Sequence, residues 1–185
     1  MQKKSRWLAL AALLLCAVML SGCYSAYRAA RDERSLGTQM DDAKRATNIK
    51  YALLADDSVK GLDISVSVYN GTAYLIGIVE QDLQKDVAVA HAKAEEGVRS
   101  VKTYLRNVND KTLGESVDDT ALAAKIRTKL IKAEDFESTQ VKIESVLGHV
   151  VLLGIVDSPA DRDRAIAIAR SVEGVKKVKS FIVIQ

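Results

Sequence analysis

The side chains that could do chemistry in this 185-residue chain are few: two histidines, His91 and His149, and two cysteines, Cys16 and Cys23. None belongs to a G-x-S-x-G, H-E-x-x-H, C-x-x-C or glycine-rich phosphate-loop pattern. Such patterns bring together a nucleophile and its base, a set of metal ligands or a phosphate cradle. We therefore expect no enzymatic activity, no metal site and no other cofactor. We expect His91 to be a half-buried packing residue and His149 to be exposed.

Cys23 lies in a context that favours a modification. Three basic residues precede an apolar stretch at residues 7–20, which is too short to span a bilayer but typical of a signal peptide. The stretch ends in Leu-Ser-Gly-Cys, which resembles the lipobox of bacterial lipoproteins. This resemblance implies that residues 1–22 are a lipoprotein signal peptide and that the Cys23 thiol receives a diacylglyceryl group. The alternative is an ordinary signal peptide followed by an accidental cysteine.

The residue after Cys23 is Tyr24. In the lipoprotein sorting pattern an aspartate at this place favours retention in the inner membrane, so Tyr24 implies an outer-membrane protein that faces the periplasm. Cleavage before Cys23 would also lower Lys plus Arg from 27 to 24, equal to the 24 Asp and Glu. A chain with no net charge does not attract the negatively charged phosphates of nucleic acid over long range, so we expect no nucleic-acid partner.

The remaining chain contains an internal sequence repeat. A shift of 77 positions aligns residues 41–108 with 118–185 without a gap. Matching positions include Ile49 with Ile126, Leu53 with Leu130, Gly71 with Gly148, Gly77 with Gly154, and Gly97 with Gly174. A period this long indicates a duplicated small domain rather than a solenoid.

The second copy shows the order of the elements most clearly. Asp118 or Asp119 can cap a helix whose inner face carries Leu122, Ile126, Leu130 and Ala133. An alternating strand from Val141 turns at Gly148 and returns to Val156. Ser158 and Pro159 open a second helix, and residues 175–184 form a last strand. Acidic pairs such as Asp118-Asp119 are interpreted as helix-end residues.

This pattern predicts an α+β fold of two tandem units, each α-β-β-α-β with a three-stranded mixed sheet packed on two helices. Residues 41–108 form the first unit, 109–117 a linker and 118–185 the second unit. Residues 23–40 have little apolar periodicity and are predicted to be a lipidated cysteine and its tether. A unit of about 68 residues has a marginal core on its own, so docking of the two copies would stabilise both.

A lipobox, the sequence SLGTQMDD at residues 35–42, and two α-β-β-α-β units together resemble the dual BON-domain outer-membrane lipoproteins. The name BON stands for bacterial OsmY and nodulation. The resemblance implies a non-enzymatic protein that binds anionic phospholipid, such as phosphatidylglycerol or cardiolipin, and supports outer-membrane integrity. It assigns lipid contact to the first helix of the second unit, residues 119–132. An aromatic residue expected early in that helix is absent, because Ala121 and Leu122 stand there.

The same helix can be interpreted from its residues. At 100° per residue, lysines gather on one flank and Ile131 lies roughly opposite the core, an arrangement suited to an anionic headgroup layer. The predicted phospholipid-binding residues are Leu122, Lys125, Thr128, Lys129, Ile131 and Lys132. The alternative is a solvated lysine flank with Ile131 packed on the other copy. The protein would then be an interaction module for envelope assembly or division machinery, or a peptidoglycan-associated protein, held to the membrane only through Cys23.

Overall fold

A computed structural model describes residues 34–59, 63–110, 118–133 and 141–184. The predicted signal peptide, Cys23 and the first part of the predicted tether lie outside these residues, as does most of the predicted linker. Residues Arg34–Gln185 form one compact unit.

Both copies contain the predicted elements in the predicted order. The first contains α1 (Leu36–Ala55), β1 (Ile64–Tyr69), β2 (Thr72–Val79), α2 (Asp82–Ala94) and β3 (Ser100–Asn107), followed by a short 3-10 turn at Val108–Asp110. The second contains α3 (Asp119–Ile131), β4 (Val141–Val146), β5 (His149–Val156), α4 (Pro159–Arg170) and β6 (Lys177–Ile184). The α+β duplication is confirmed.

Each copy has its own three-stranded sheet, with strand order β1-β2-β3 in the first and β4-β5-β6 in the second. The second strand of each hairpin is therefore the central strand. The hairpin strands pair antiparallel and the last strand pairs parallel, so both sheets are mixed, as predicted. The hairpins turn through Asn70-Gly71 and Leu147-Gly148, and all four residues have positive φ. Two successive residues of this kind form the tight turn whose twist matches that of the strands.

Helices α3 and α4 begin at the predicted capping residues. The Asp118 carboxylate accepts the Ala121 N–H at 2.9 Å, and the Ser158 hydroxyl accepts the Asp161 N–H at 3.1 Å. Helix α1, however, begins at Leu36 behind a Ser35 cap, so the prediction of a tether up to residue 40 is wrong for its last five residues. The first turns of α1 contain no buried apolar residue, and buried apolar residues at helical spacing are the signal by which a helix is recognised in a sequence.

Each pair of helices packs on one face of its own sheet. Ile49 and Leu53 of α1 meet Ala73 and Leu75 of β2, and the second copy repeats this arrangement with Ile126, Leu130, Val150 and Leu152. The other faces of the two sheets pack on each other through Tyr74, Ile76, Val146, Leu147, Val151 and Leu153. The protein is thus a four-layer sandwich, with the helices outside and the sheets inside.

Polar contacts join the two copies at the edges of this sheet-to-sheet core. The Ser65 hydroxyl donates to a Glu144 carboxylate oxygen at 2.8 Å, and the Lys142 ammonium donates to the Ser67 hydroxyl at 2.8 Å. The His149 ring Nδ1 lies 2.6 Å from the Tyr104 hydroxyl. His149 is therefore half-buried between the copies, and the expectation that it is exposed is wrong. A prediction made within one copy could not include the strand of the other.

Candidate membrane-binding surface

The outward face of α3 is strongly cationic. Residues 120–132 contain three lysines and one arginine but no Asp or Glu. The apolar stripe of Leu122, Ile126 and Leu130 faces the sheet, which leaves the charged side chains on the solvent side. Ile131 lies among them with 58% of its surface exposed. An exposed apolar residue amid cations is the combination that a negatively charged lipid surface attracts.

The structure separates the predicted lipid-contact residues into two groups. Lys125, Thr128, Lys129, Ile131 and Lys132 are exposed. Leu122 is 4% exposed and belongs to the core of the second copy, so its inclusion was wrong. The reason is that Leu122 starts the buried stripe of α3, whereas Ile131 lies on the opposite side of the helix.

Two of the exposed polar residues make contacts within the protein. The Lys129 ammonium donates to the Ser171 carbonyl at 3.1 Å and lies 3.2 Å from its hydroxyl, which ties α3 to the end of α4. The Thr128 hydroxyl donates to the Ala124 carbonyl at 2.9 Å. These contacts leave Lys125 and Lys132 as the two lysines best placed to meet a ligand.

Arg127 is a cation on α3 that the sequence interpretation missed. It is exposed and lies on the side of Ile131 away from Lys125 and Lys132, as helical spacing of about 100° per residue requires. Within the described part of the chain, none of these three cations forms an ion pair. Ile131 therefore has positive charge on both flanks. The spacing of Arg127 from Ile131 was a signal available in the sequence.

A groove of about 400 Å³ runs beside α3, between the two copies. Its polar lining includes Asp63, Asp119 and Glu144 as well as Arg127. Three carboxylates against one guanidinium do not suit an anionic headgroup. The outer face of α3, rather than this groove, is therefore the candidate lipid surface.

Asp119 positions the start of α3. Its carboxylate accepts the backbone N–H groups of Leu147 and Gly148 at 2.7 and 2.9 Å, and the Ser145 hydroxyl at 2.5 Å. Asp42 does the same from the second turn of α1, where it accepts the N–H groups of Asn70 and Gly71. Each aspartate therefore locks its helix to the hairpin turn. Both residues of the Asp118-Asp119 pair lie at the helix end, as predicted, but only Asp118 caps the helix, whereas Asp119, its first residue, binds the hairpin turn.

Three groups elsewhere have shifted pKa values. Burial, followed by the neighbouring Tyr69, raises the pKa of Tyr74. Hydrogen bonds from Ser58 and then His91 lower the pKa of Asp56 to about 2. Partial burial, followed by the positive charges of Arg106, Lys177 and Lys176, lowers the pKa of His149.

Among the described residues no cluster of three or more His, Cys, Asp or Glu could hold a metal ion. None of the described helices is both long and apolar enough to cross a bilayer.

The duplicated α-β-β-α-β unit with a hairpin locked by a buried or half-buried aspartate defines a class of small α+β domain. The model of the BON domain matches residues 41–108 and 118–185. The chain belongs to the BON-domain family.

Several characterised proteins are similar over most of the chain. The osmotically-inducible protein Y of Escherichia coli K12 is 36% identical, with 92% of each chain covered. The outer membrane lipoprotein DolP of Haemophilus influenzae is 33% identical, covering 91% of this chain and 92% of that protein. The 21 kDa hemolysin of Actinobacillus pleuropneumoniae is 34% identical, covering 82% and 78%.

Proposed function

We propose that this protein is a non-enzymatic outer-membrane lipoprotein, anchored through Cys23 and facing the periplasm, that binds anionic phospholipid through α3. Phosphatidylglycerol and cardiolipin are the lipids of the expected charge. Its similarity to a protein named as an outer membrane lipoprotein supports the location. The role that follows from it is to help maintain outer-membrane integrity, by keeping a folded scaffold at the lipid surface.

The observation that carries the lipid assignment is the outward face of α3. Ile131 is 58% exposed, lies between cationic flanks and has no carboxylate on its own helix beyond Asp119. Each lysine near an anionic surface contributes about 1 kcal/mol, and the apolar side chain adds affinity that salt does not screen. Several such contributions are needed, because a single lysine would bind only weakly.

Flotation with vesicles tests this proposal. The chain without residues 1–22 carries Cys23→Ser, so that no acyl chain contributes to binding. It is mixed with vesicles of phosphatidylethanolamine and phosphatidylglycerol, or of phosphatidylcholine alone. We expect binding to the anionic vesicles only. The double variant Lys125→Gln/Lys132→Gln should bind about thirtyfold more weakly, since two lost lysines cost about 2 kcal/mol.

Lys85→Gln/Lys93→Gln is the matched control, because it removes the same charge from α2 of the other copy. It should bind nearly as the parent does. Equal losses in both variants would mean that only net charge matters and would refute the α3 site. If the parent chain does not bind vesicles at all, the lipid on Cys23 does all the membrane work and the α3 surface has another role.

A further inference from the structure

The outward face of α1 carries a line of exposed apolar residues. Leu36, Met40, Tyr51 and Leu54 are exposed to 67, 74, 67 and 49%. Their spacing places them on successive turns of one face, because a helix completes a turn in about 3.6 residues. The exposed small residues Ala43 and Thr47 fill the interval between them. The α1 stripe, as we call these six residues, extends over about 27 Å.

The α1 stripe is separate from the core. The buried residues of α1 are Asp42, Ile49 and Leu53, and they lie roughly 140° around the helix from the stripe. The apolar stripe therefore points away from the sheet. Extended exposed apolar patches on soluble proteins mark interaction sites. This one therefore needs a partner outside the described chain.

Charge and side-chain type favour a lipid surface as that partner. Lys44 lies exposed on one edge of the stripe, whereas the exposed carboxylate of Asp41 lies farther round the helix, as helical spacing requires. Lys50 lies on the other edge, where its ammonium donates to the Ile64 carbonyl at 2.8 Å. A long lysine side chain such as that of Lys44, at the edge of an apolar face, can reach headgroups while the face itself enters the acyl boundary. Tyr51 has an apolar ring and a polar hydroxyl, which suits the same boundary.

The position of α1 in the chain also favours a membrane. Leu36 follows Cys23 by thirteen residues. Such a segment spans about 45 Å when fully extended and about 20 Å as a flexible coil. An acyl group on Cys23 would thus keep α1 at a high effective concentration beside a bilayer.

Helices α1 and α3 belong to the two opposite outer layers, and the two packed sheets lie between them. We propose that the α1 stripe is a second membrane-binding surface, so that one molecule can contact two bilayer surfaces at once through α1 and α3. The α1 stripe stands by itself, whereas the simultaneous contact rests on the proposed function of α3.

Vesicle clustering tests this inference. The Cys23→Ser chain is mixed with phosphatidylethanolamine–phosphatidylglycerol vesicles, and light scattering reports clustering while flotation reports binding. We expect the parent to cluster vesicles. Met40→Gln/Leu54→Gln should still bind through α3 but require about tenfold more protein to cluster them, since two apolar contacts are lost. The matched control Val108→Gln/Val183→Gln changes two exposed apolar residues outside the α-helices and should cluster as the parent does.

Other results would overturn the proposal or separate it from that of α3. Unchanged clustering by Met40→Gln/Leu54→Gln overturns the α1 surface. Complete loss of binding in Lys125→Gln/Lys132→Gln also overturns it, because α1 remains intact there, but leaves the α3 proposal standing. Unchanged binding in that variant refutes the α3 site instead. Self-association of the chain without vesicles, abolished by the α1 changes, would assign the stripe to a second copy and overturn the lipid assignment.

Discussion

Asp42 is the residue whose removal most directly tests how each helix is locked to its hairpin. Its side chain is 1% exposed and is the one charged side chain among the fully buried described residues. One carboxylate oxygen accepts from the Asn70 N–H at 2.6 Å and from the Arg34 guanidinium at 2.7 Å. The other accepts from the Gly71 N–H at 3.1 Å and lies 3.4 Å from the Arg45 guanidinium. Asp42→Ala would remove the carboxylate that all four of these groups contact.

The expected loss of stability follows from the groups that would no longer have the Asp42 carboxylate as a partner. Arg34, with a side chain only 9% exposed, would lose its ion pair with Asp42, and breaking a buried ion pair costs about 3–5 kcal/mol. Two backbone N–H groups would also lose their acceptor, at about 1–3 kcal/mol each when no water replaces it. These contributions overlap, so we expect the free energy of unfolding to fall by about 4 kcal/mol.

Urea denaturation followed by circular dichroism measures this loss. With a slope of about 2 kcal/mol per molar urea, the midpoint of Asp42→Ala should fall by about 2 M. Asp41→Ala is the matched control, because Asp41 is the adjacent, exposed carboxylate on the same helix. It should change stability by less than about 0.5 kcal/mol. If the two variants unfold at the same urea concentration, Asp42 does not hold the hairpin in the way described.

Two further predictions concern a close backbone approach and a titrating contact. Gly77→Ala should destabilise the first copy by several kcal/mol, because an added Cβ would lie 1.9 Å from the Asp63 carbonyl oxygen; Gly37→Ala, where the nearest atom is 3.9 Å away, should be neutral or slightly stabilising in the same urea assay. His149 has a lowered pKa in the folded protein. As the pH is lowered through about 6.5, the unfolded chain therefore takes up the proton first, and the free energy of unfolding decreases. His149→Gln should flatten this loss between about pH 7 and 5, whereas the same slope in the variant and the parent would exclude His149 as its source.

The repeated fold was predictable because its local signals agree with one another. Asn70-Gly71 specifies a tight hairpin, and Ser158-Pro159 specifies a helix start. The buried residues of α3 also recur at the helical period that predicted them. Each of these features depends on residues only a few positions apart, so a single copy contains all the information needed.

The hairpin locks were not predicted, because they depend on contacts between residues far apart in the chain. Asp119 contacts Gly148, 29 residues later, and Asp42 contacts Gly71 across the same interval. From its neighbours alone, either carboxylate of an Asp-Asp pair can cap a helix. The fixed offset between the two copies was the available signal, because it aligns Asp119 with Asp42 and Gly148 with Gly71.

The sequence also contains a signal for the packing of the two sheets on each other. Residues 73–76 and 150–153 are continuous runs of buried residues in the central strands, and a strand with both faces covered has such a run. The sequence did not reveal what covers the second face, since in this protein it is the other copy. His149 shows the consequence, because its partner Tyr104 lies on β3 of the first copy.

Sheet-to-sheet packing explains how duplication can produce two different surfaces from one fold. The inner faces bury each other, so both copies need similar apolar residues there, and Tyr74 and Val151 occupy aligned positions in that shared core. The outward faces of α1 and α3 have no such constraint. One has become an apolar stripe with lysines at its edges, and the other a cationic face around Ile131. The stability of each copy therefore depends on the shared interior, whereas any difference in what the copies bind must come from these helices.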